Sequence, residues 1–194
     1  MRKDLVSSAV AVVGLTVIFG LAYPLGITGL SQVLFPNKAD GSQIKQDGRV
    51  VGSRLLGQDF SKDPGLFQTR PSPTGDNPAG TAFSNLGPNS KELRDNIAKN
   101  ARAYLRREGR FNPGLTLKSI PPDAVQTSAS GLDPQISLAN ARIQAGRVAV
   151  LNGLPKARVL ALVNANTHGR SLGFLGEPGV NVLELNLAIR ETRR

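Results

Sequence analysis

Residues 5–25 read LVSSAVAVVGLTVIFGLAYPL, a run without a single charged side chain. The nearest charges are Arg2, Lys3 and Asp4 on one side and Lys38 on the other. A helix advances about 1.5 Å per residue, so roughly 20 apolar residues cross a hydrocarbon layer about 30 Å thick. A helix packed on a soluble core has a polar face, and this one has none. The stretch predicts an N-terminal membrane anchor over residues 1–35, with the transmembrane part at about 5–30. Pro24 and Gly26 are expected to kink or end the helix, and Tyr23 and Phe35 to lie at the lipid interface.

Two other readings of the stretch fit less well. A cleaved signal peptide would use Gly20-Leu21-Ala22 as its small-x-small site, but its apolar region spans about 7–15 residues. Here the apolar character continues through Ile27, Leu30, Val33 and Leu34. A pilin-like assembly helix would carry an acidic residue early in the run, and none occurs between Leu5 and Phe35. Arg2, Lys3 and the amino group favour a cytoplasmic N-terminal end and an extracytoplasmic remainder, residues 36–194.

That remainder suffices for one small domain. Most of the 13 Pro and of the 21 Gly in the chain fall in it and imply many turns, and the absence of Cys excludes disulfides and thiolate metal sites. The expected class is α+β, a loop-rich α/β domain behind a single transmembrane helix. Arg49 to Leu56 reads as a strand, and Phe60 and Phe67 as core anchors. Asn89 with Glu92 resembles a capping box, and Leu93, Ile97, Ala101, Tyr104 and Leu105 share a face, predicting a helix from about Ser90 to Arg107. The other face carries Lys91, Arg94, Lys99, Arg102 and Arg106, either a docking stripe or a solvated surface. Ser137 is placed to cap a second helix that ends at Asn152-Gly153, and Pro155 to begin a third. Leu183, Leu185, Leu187 and Ile189 alternate as in a strand, although Asn181 with Glu184 offers a helix cap instead.

Five motifs then carry a resemblance. They are Gly52-Ser53-Arg54-Leu55-Leu56-Gly57-Gln58, Phe67 with Arg70-Pro71-Ser72, Ser84-Asn85-Leu86-Gly87-Pro88, Thr127 to Pro134 (TSASGLDP), and Leu175-Gly176-Glu177-Pro178 with Asn181-Val182-Leu183. In this order, and with the anchor, the chain resembles the C subunit of the Kdp potassium-transporting ATPase over nearly its whole length. The resemblance implies a non-catalytic accessory subunit in a prokaryotic plasma-membrane complex for ATP-driven potassium import. Its partners would be a KdpA-like potassium-translocating subunit, a KdpB-like P-type ATPase subunit, a small KdpF-like subunit and membrane lipid. The family is described as raising the ATP affinity of the ATPase subunit. Carried over by motif, Ser130, Gly131, Asp133, Gln144 and Arg147 are the nucleotide-related candidates. The family usually has His where this chain has Gln135, and Pro where it has Leu138, so imidazole chemistry at that turn is not expected.

No metal site is expected, since there is one His and no Cys. Autonomous ATP binding is not expected either; ATP would be met only in complex with the ATPase subunit. No G-x-x-x-x-G-K-[ST] loop occurs, and Gly173, Gly176 and Gly179 make no dinucleotide fingerprint. A hydrolase would have to join His168 to Ser130 and Asp133 without a G-x-S-x-G elbow. The formal net charge of +10 would suggest nucleic acid in a soluble protein. Residues 91–170 hold 13 Lys or Arg against 5 Asp or Glu. Behind a membrane anchor, anionic headgroups or acidic partner loops fit that excess better.

Overall fold

A computed structural model describes residues 1–80, 82 and 85–193, so part of the Ser84–Pro88 motif lies outside the described residues. The chain forms two compact units, Met1–Ser53 and Arg54–Arg194.

In the first unit, one helix, α1, runs from Arg2 to Leu34, 33 residues with a peak mean hydropathy of 2.3 and no buried residue. At about 1.5 Å per residue it is about 50 Å long, ample for a bilayer. Pro24 neither ends it nor breaks it. Residues Ile18–Ala22 widen into a π turn, with the Tyr23 N–H bonded to the Ile18 carbonyl. Pro24 has no N–H to offer Gly20, the carbonyl one turn back, and its ring would press on it; the wider turn relieves both. Beyond one helical turn at Pro36–Ala39, strands β1 (Gln43–Gln46) and β2 (Arg49–Ser53) form an antiparallel hairpin. Asp47 and Gly48 between them have φ of 51° and 75°, the left-handed pair of a type I′ turn. The second strand stops at Ser53, three residues short of the expected Leu56.

In the second unit, residues 54–80 are irregular but pinned by Phe60, Leu66 and Phe67, which are buried. Helix α2 covers Lys91–Glu108. Its cap is Ser90 rather than Asn89: the Ser90 hydroxyl accepts from the Leu93 N–H at 3.3 Å. Tyr104 on its inner face packs with Ala124 and Val125. A three-stranded antiparallel sheet of β3 (Gln135–Ile136), β4 (Thr167–His168) and β5 (Gly179–Asn181) has β5 at its centre. Helix α3 (Leu138–Asn152) is capped by Ser137 and stopped by left-handed Gly153, as the sequence indicates. It is the central element, with Asn140, Ala141 and the whole of Gln144–Ala149 buried. Helix α4 (Lys156–Ala165) takes Pro155 as its N-cap, one place earlier than expected, and buries Val159 and Val163.

The C-terminal stretch is helix α5, Val182–Thr192, and not a strand. Asn181 caps it by accepting from the Glu184 N–H at 3.1 Å. Buried Val182, Leu185, Asn186 and Ile189 follow the i, i+3, i+4, i+7 spacing of one helical face, whereas Leu187, needed by the alternating pattern, is only half-buried.

Candidate functional site

Of the five residues singled out by sequence, Gln144 and Arg147 lie three apart on α3 and face inward, completely removed from solvent. A buried amide or guanidinium must have its hydrogen bonds met. Gln144 meets all of its own. Its Oε1 accepts from the Gln68 N–H at 2.8 Å and from Arg147 Nη2 at 3.0 Å. Its Nε2 donates to the Gln68 carbonyl at 3.1 Å and to Asn140 Oδ1 at 2.9 Å. Asn186 of α5 grips the preceding residue in the same way, accepting from the Phe67 N–H at 2.8 Å and donating to its carbonyl at 2.9 Å. Two side-chain amides from two helices thus replace a partner strand for Phe67-Gln68.

Arg147 extends this bracket. Its Nη1 donates to the Leu66 carbonyl at 2.9 Å and to the Pro64 carbonyl. Its Nε lies 3.0 and 3.1 Å from the two carboxylate oxygens of Glu108, which is itself fully buried at the end of α2. Burial pulls the Arg147 pKa down from its ordinary value, and the Glu108 charge opposes that pull. Burial, joined by the Glu108 charge, pushes the Tyr104 phenol well up, so it stays a neutral donor to Asn140 Oδ1 at 2.8 Å.

Ser130, Gly131 and Asp133 occupy the loop before β3. Ser130 is exposed, and its Oγ accepts from the Leu132 N–H at 3.1 Å. Gly131 has φ of 74°, and a Cβ there would lie 2.9 Å from Thr74 Oγ1. Its carbonyl accepts from Ser72 Oγ at 2.7 Å. Asp133 accepts from the Gln135 N–H at 3.0 Å and pairs with Arg70 Nη1 at 2.8 Å. Gln135, at the position where His was the expected family residue, lies against Gly179, whose added Cβ would meet Gln135 Oε1 at 2.7 Å.

Among the described residues, no hydrogen bond joins the loop trio directly to the helix pair. They meet instead on a common segment: Gln144 and Arg147 hold its Pro64–Gln68 part, and the loop holds Arg70, Ser72 and Thr74. Beside that segment is a cavity of about 340 Å³ lined by Asp59, Thr69, Arg70, Asp76, Tyr104 and Arg107 among others. The Asp76 carboxyl accepts from Thr69 Oγ1 at 2.9 Å. Burial raises its pKa above the usual carboxylate value and the neighbouring Asp59 charge adds to the rise, while the Thr69 bond opposes it. Asp59 is shifted the other way by hydrogen bonds from Ser61. Arg70 Nε is buried and has no hydrogen-bond partner among the described residues.

His168 stands apart from this region, bonded through Nε2 to Glu184 at 2.8 Å, and the same carboxylate takes Arg54 Nε at 2.7 Å. Ser130 Oγ has Ser128 Oγ at 3.2 Å. A second hydroxyl is no base, so the serine lacks the activation a nucleophile needs. Among the described residues no group of three or more His, Cys, Asp or Glu could hold a metal. Glu108, Asn186 and Gln68 were not singled out by sequence. A signal existed for two elements: Asn140, Gln144 and Arg147 recur at i, i+4 and i+7 on the apolar face of α3, and Glu108 continues the Tyr104 face of α2.

Comparison with known proteins gives a consistent result. The family model KdpC, described as the c chain of K+-transporting ATPases, matches residues 5–191. A potassium-transporting ATPase KdpC subunit of Koribacter versatilis is 43% identical over 195 residues, covering 100% of this chain and 97% of the relative. That of Methylibium petroleiphilum is 50% identical over 192 residues, 97% of each. That of Rhodopseudomonas palustris is 46% identical over 208 residues, 100% of each.

Proposed function

The chain belongs to the KdpC family, the c chain of K+-transporting ATPases, and from that premise we propose that it is a non-catalytic brace within the potassium-importing complex. The observation that carries this reading is α1, whose apolar side chains are exposed all round, Val6 at 55%, Leu15 at 54% and Leu25 at 68% among them. Such a surface is stable only in lipid or against other membrane helices. In this reading α1 anchors the chain with its N-terminal end in the cytoplasm, and residues 36–194 stand outside, beside the extracytoplasmic face of a KdpA-like subunit. A KdpB-like ATPase subunit and a small KdpF-like subunit complete the assembly.

The role in ATP affinity follows indirectly. Gln144 and Arg147 have their polar groups engaged inside the fold, so they act by fixing the Pro64–Asp76 segment rather than by touching nucleotide. Ser130, Gly131 and Asp133 shape the neighbouring turn. ATP then stays on the ATPase subunit, and this chain reaches it through subunit contacts. Photo-labelling of the intact complex with an azido-ATP should mark the ATPase subunit alone; label within residues 130–147 would contradict the indirect route. Deleting residues 54–194 from the chromosomal copy should abolish growth at micromolar potassium, and unimpaired uptake kinetics would remove the bracing role.

A further inference from the structure

Helix α2 carries on its outer side Lys91, Arg94, Lys99, Arg102 and Arg106, all exposed. At 100° per residue they span about 140° of the helix surface, with exposed Asp95 inside the arc, on the side away from buried Tyr104. From Lys91 to Arg106 the stripe is about 22 Å long at about 1.5 Å per residue. Lys91 is paired with Asp95 at 3.0 Å. Arg94, Lys99, Arg102 and Arg106 make no ion pair among the described residues. Arg107 turns aside, to Glu108 at 2.8 Å and over the Tyr104 ring at 5.2 Å.

Helix stability alone does not favour this arrangement, since like charges three or four residues apart, as in Lys99, Arg102 and Arg106, repel. An external negative partner would relieve that repulsion. A row of cations beside a potassium path would repel the ion, which excludes a position over the ion entrance. Nucleic acid is not a neighbour of a membrane subunit's outer domain. A planar anionic surface remains, and one is held close by the anchor on the same chain: tethering replaces bimolecular binding by a high effective concentration, so that a few charges suffice. We infer that the basic face of α2 rests on the anionic headgroups of the membrane in which α1 is anchored. The inference extends the anchor reading and depends on it.

The chain contains no Cys, so a single fluorophore can be placed cleanly. Ala98 lies between Arg94 and Arg102 on the stripe, and Ala98→Cys carries an environment-sensitive dye there. Val150→Cys, on an exposed site of α3, serves as the comparison. The full chain is reconstituted into vesicles of phosphatidylcholine alone or with phosphatidylglycerol, each containing a headgroup spin label as quencher. Flotation is measured first: a chain that fails to float with either vesicle loses the anchor reading itself. For a chain that floats, the expected result is quenching at position 98 several-fold stronger in phosphatidylglycerol vesicles than in neutral ones. It should collapse between 0.1 and 1 M salt, where the screening length shrinks from about 10 Å to about 3 Å. Changing Arg94, Lys99, Arg102 and Arg106 together to Gln should abolish the difference. Equal quenching in both lipids, equal quenching at position 150, or quenching that appears only when the other subunits are added would overturn the inference, the last in favour of an acidic protein surface.

Discussion

Replacing Arg147 with Met would leave buried Glu108 with only the partly exposed Arg107 as countercharge and free three carbonyl or amide oxygens of the bracket. Breaking a buried pair from one side costs about 3–5 kcal/mol. Arg147→Met should therefore lower the unfolding free energy by up to about that much in a denaturant titration, while the double change with Glu108→Leu should recover a large part of it; a double variant no better than Arg147→Met would show that the pair is not the main contributor. Asp76 tests the same site through pH. Its folded pKa is raised, so the folded chain holds that proton more tightly than the unfolded chain does. Its contribution to stability is fully present below the unfolded value near 3.8 and is lost as pH rises through the raised folded value. Asp76→Asn should flatten that part of the stability–pH curve and be neutral or mildly stabilising at pH 7, whereas an unchanged curve would mean that the carboxyl is not desolvated in the native fold. Sequence resemblance points to Gln144 and Arg147 but not to the groups that they hydrogen-bond. Their partners, Gln68 and Glu108, lie 76 and 39 residues away in the chain, and a single sequence carries no signal for pairings of that range.

At the scale of elements, caps and glycines were the most legible features, because their chemistry is local. Ser137 and Gly153 bound α3 as their residue types indicate, and the error at α2 was one residue, Asn89 for Ser90. That difference is measurable: Ser90→Ala should cost about 1 kcal/mol as a lost N-cap, and Asn89→Ala close to nothing. The C-terminal helix reads as a strand because Leu185 and Ile189 satisfy both a two-residue and a 3.6-residue period; burial of Val182 and Asn186 and the half-burial of Leu187 separate them. Gly146 carries no sequence signal, since close approach of another chain segment leaves no local mark. A Cβ there would fall 2.9 Å from Asn112 Oδ1 and 3.0 Å from the Phe111 carbonyl. Gly146→Ala should destabilise by about 1–3 kcal/mol through overpacking, measured by urea titration of the full chain in detergent. Pro24 was expected to kink or end α1, and the π turn at Ile18–Ala22 instead absorbs it, a remedy that depends on neighbouring carbonyls and not on the proline itself.

For the molecule as a whole, composition marks an uncharged stretch of the kind only lipid or other helices can cover, then a basic, loop-rich remainder from residue 36, whereas the compact units divide later, at Ser53 and Arg54. Membership of the KdpC family explains why such a chain exists, as one component of a potassium-transporting assembly. How it serves that assembly turns on which side of the membrane Arg54–Arg194 occupies and whether α1 stays attached. Protease accessibility read together with a phosphatase fused after residue 194 decides both. The account predicts an active phosphatase, digestion of the domain in spheroplasts but not in inverted vesicles, and a chain that resists alkaline extraction from the membrane. A domain protected in spheroplasts, or a chain released into solution after trimming near Ala22, would contradict it.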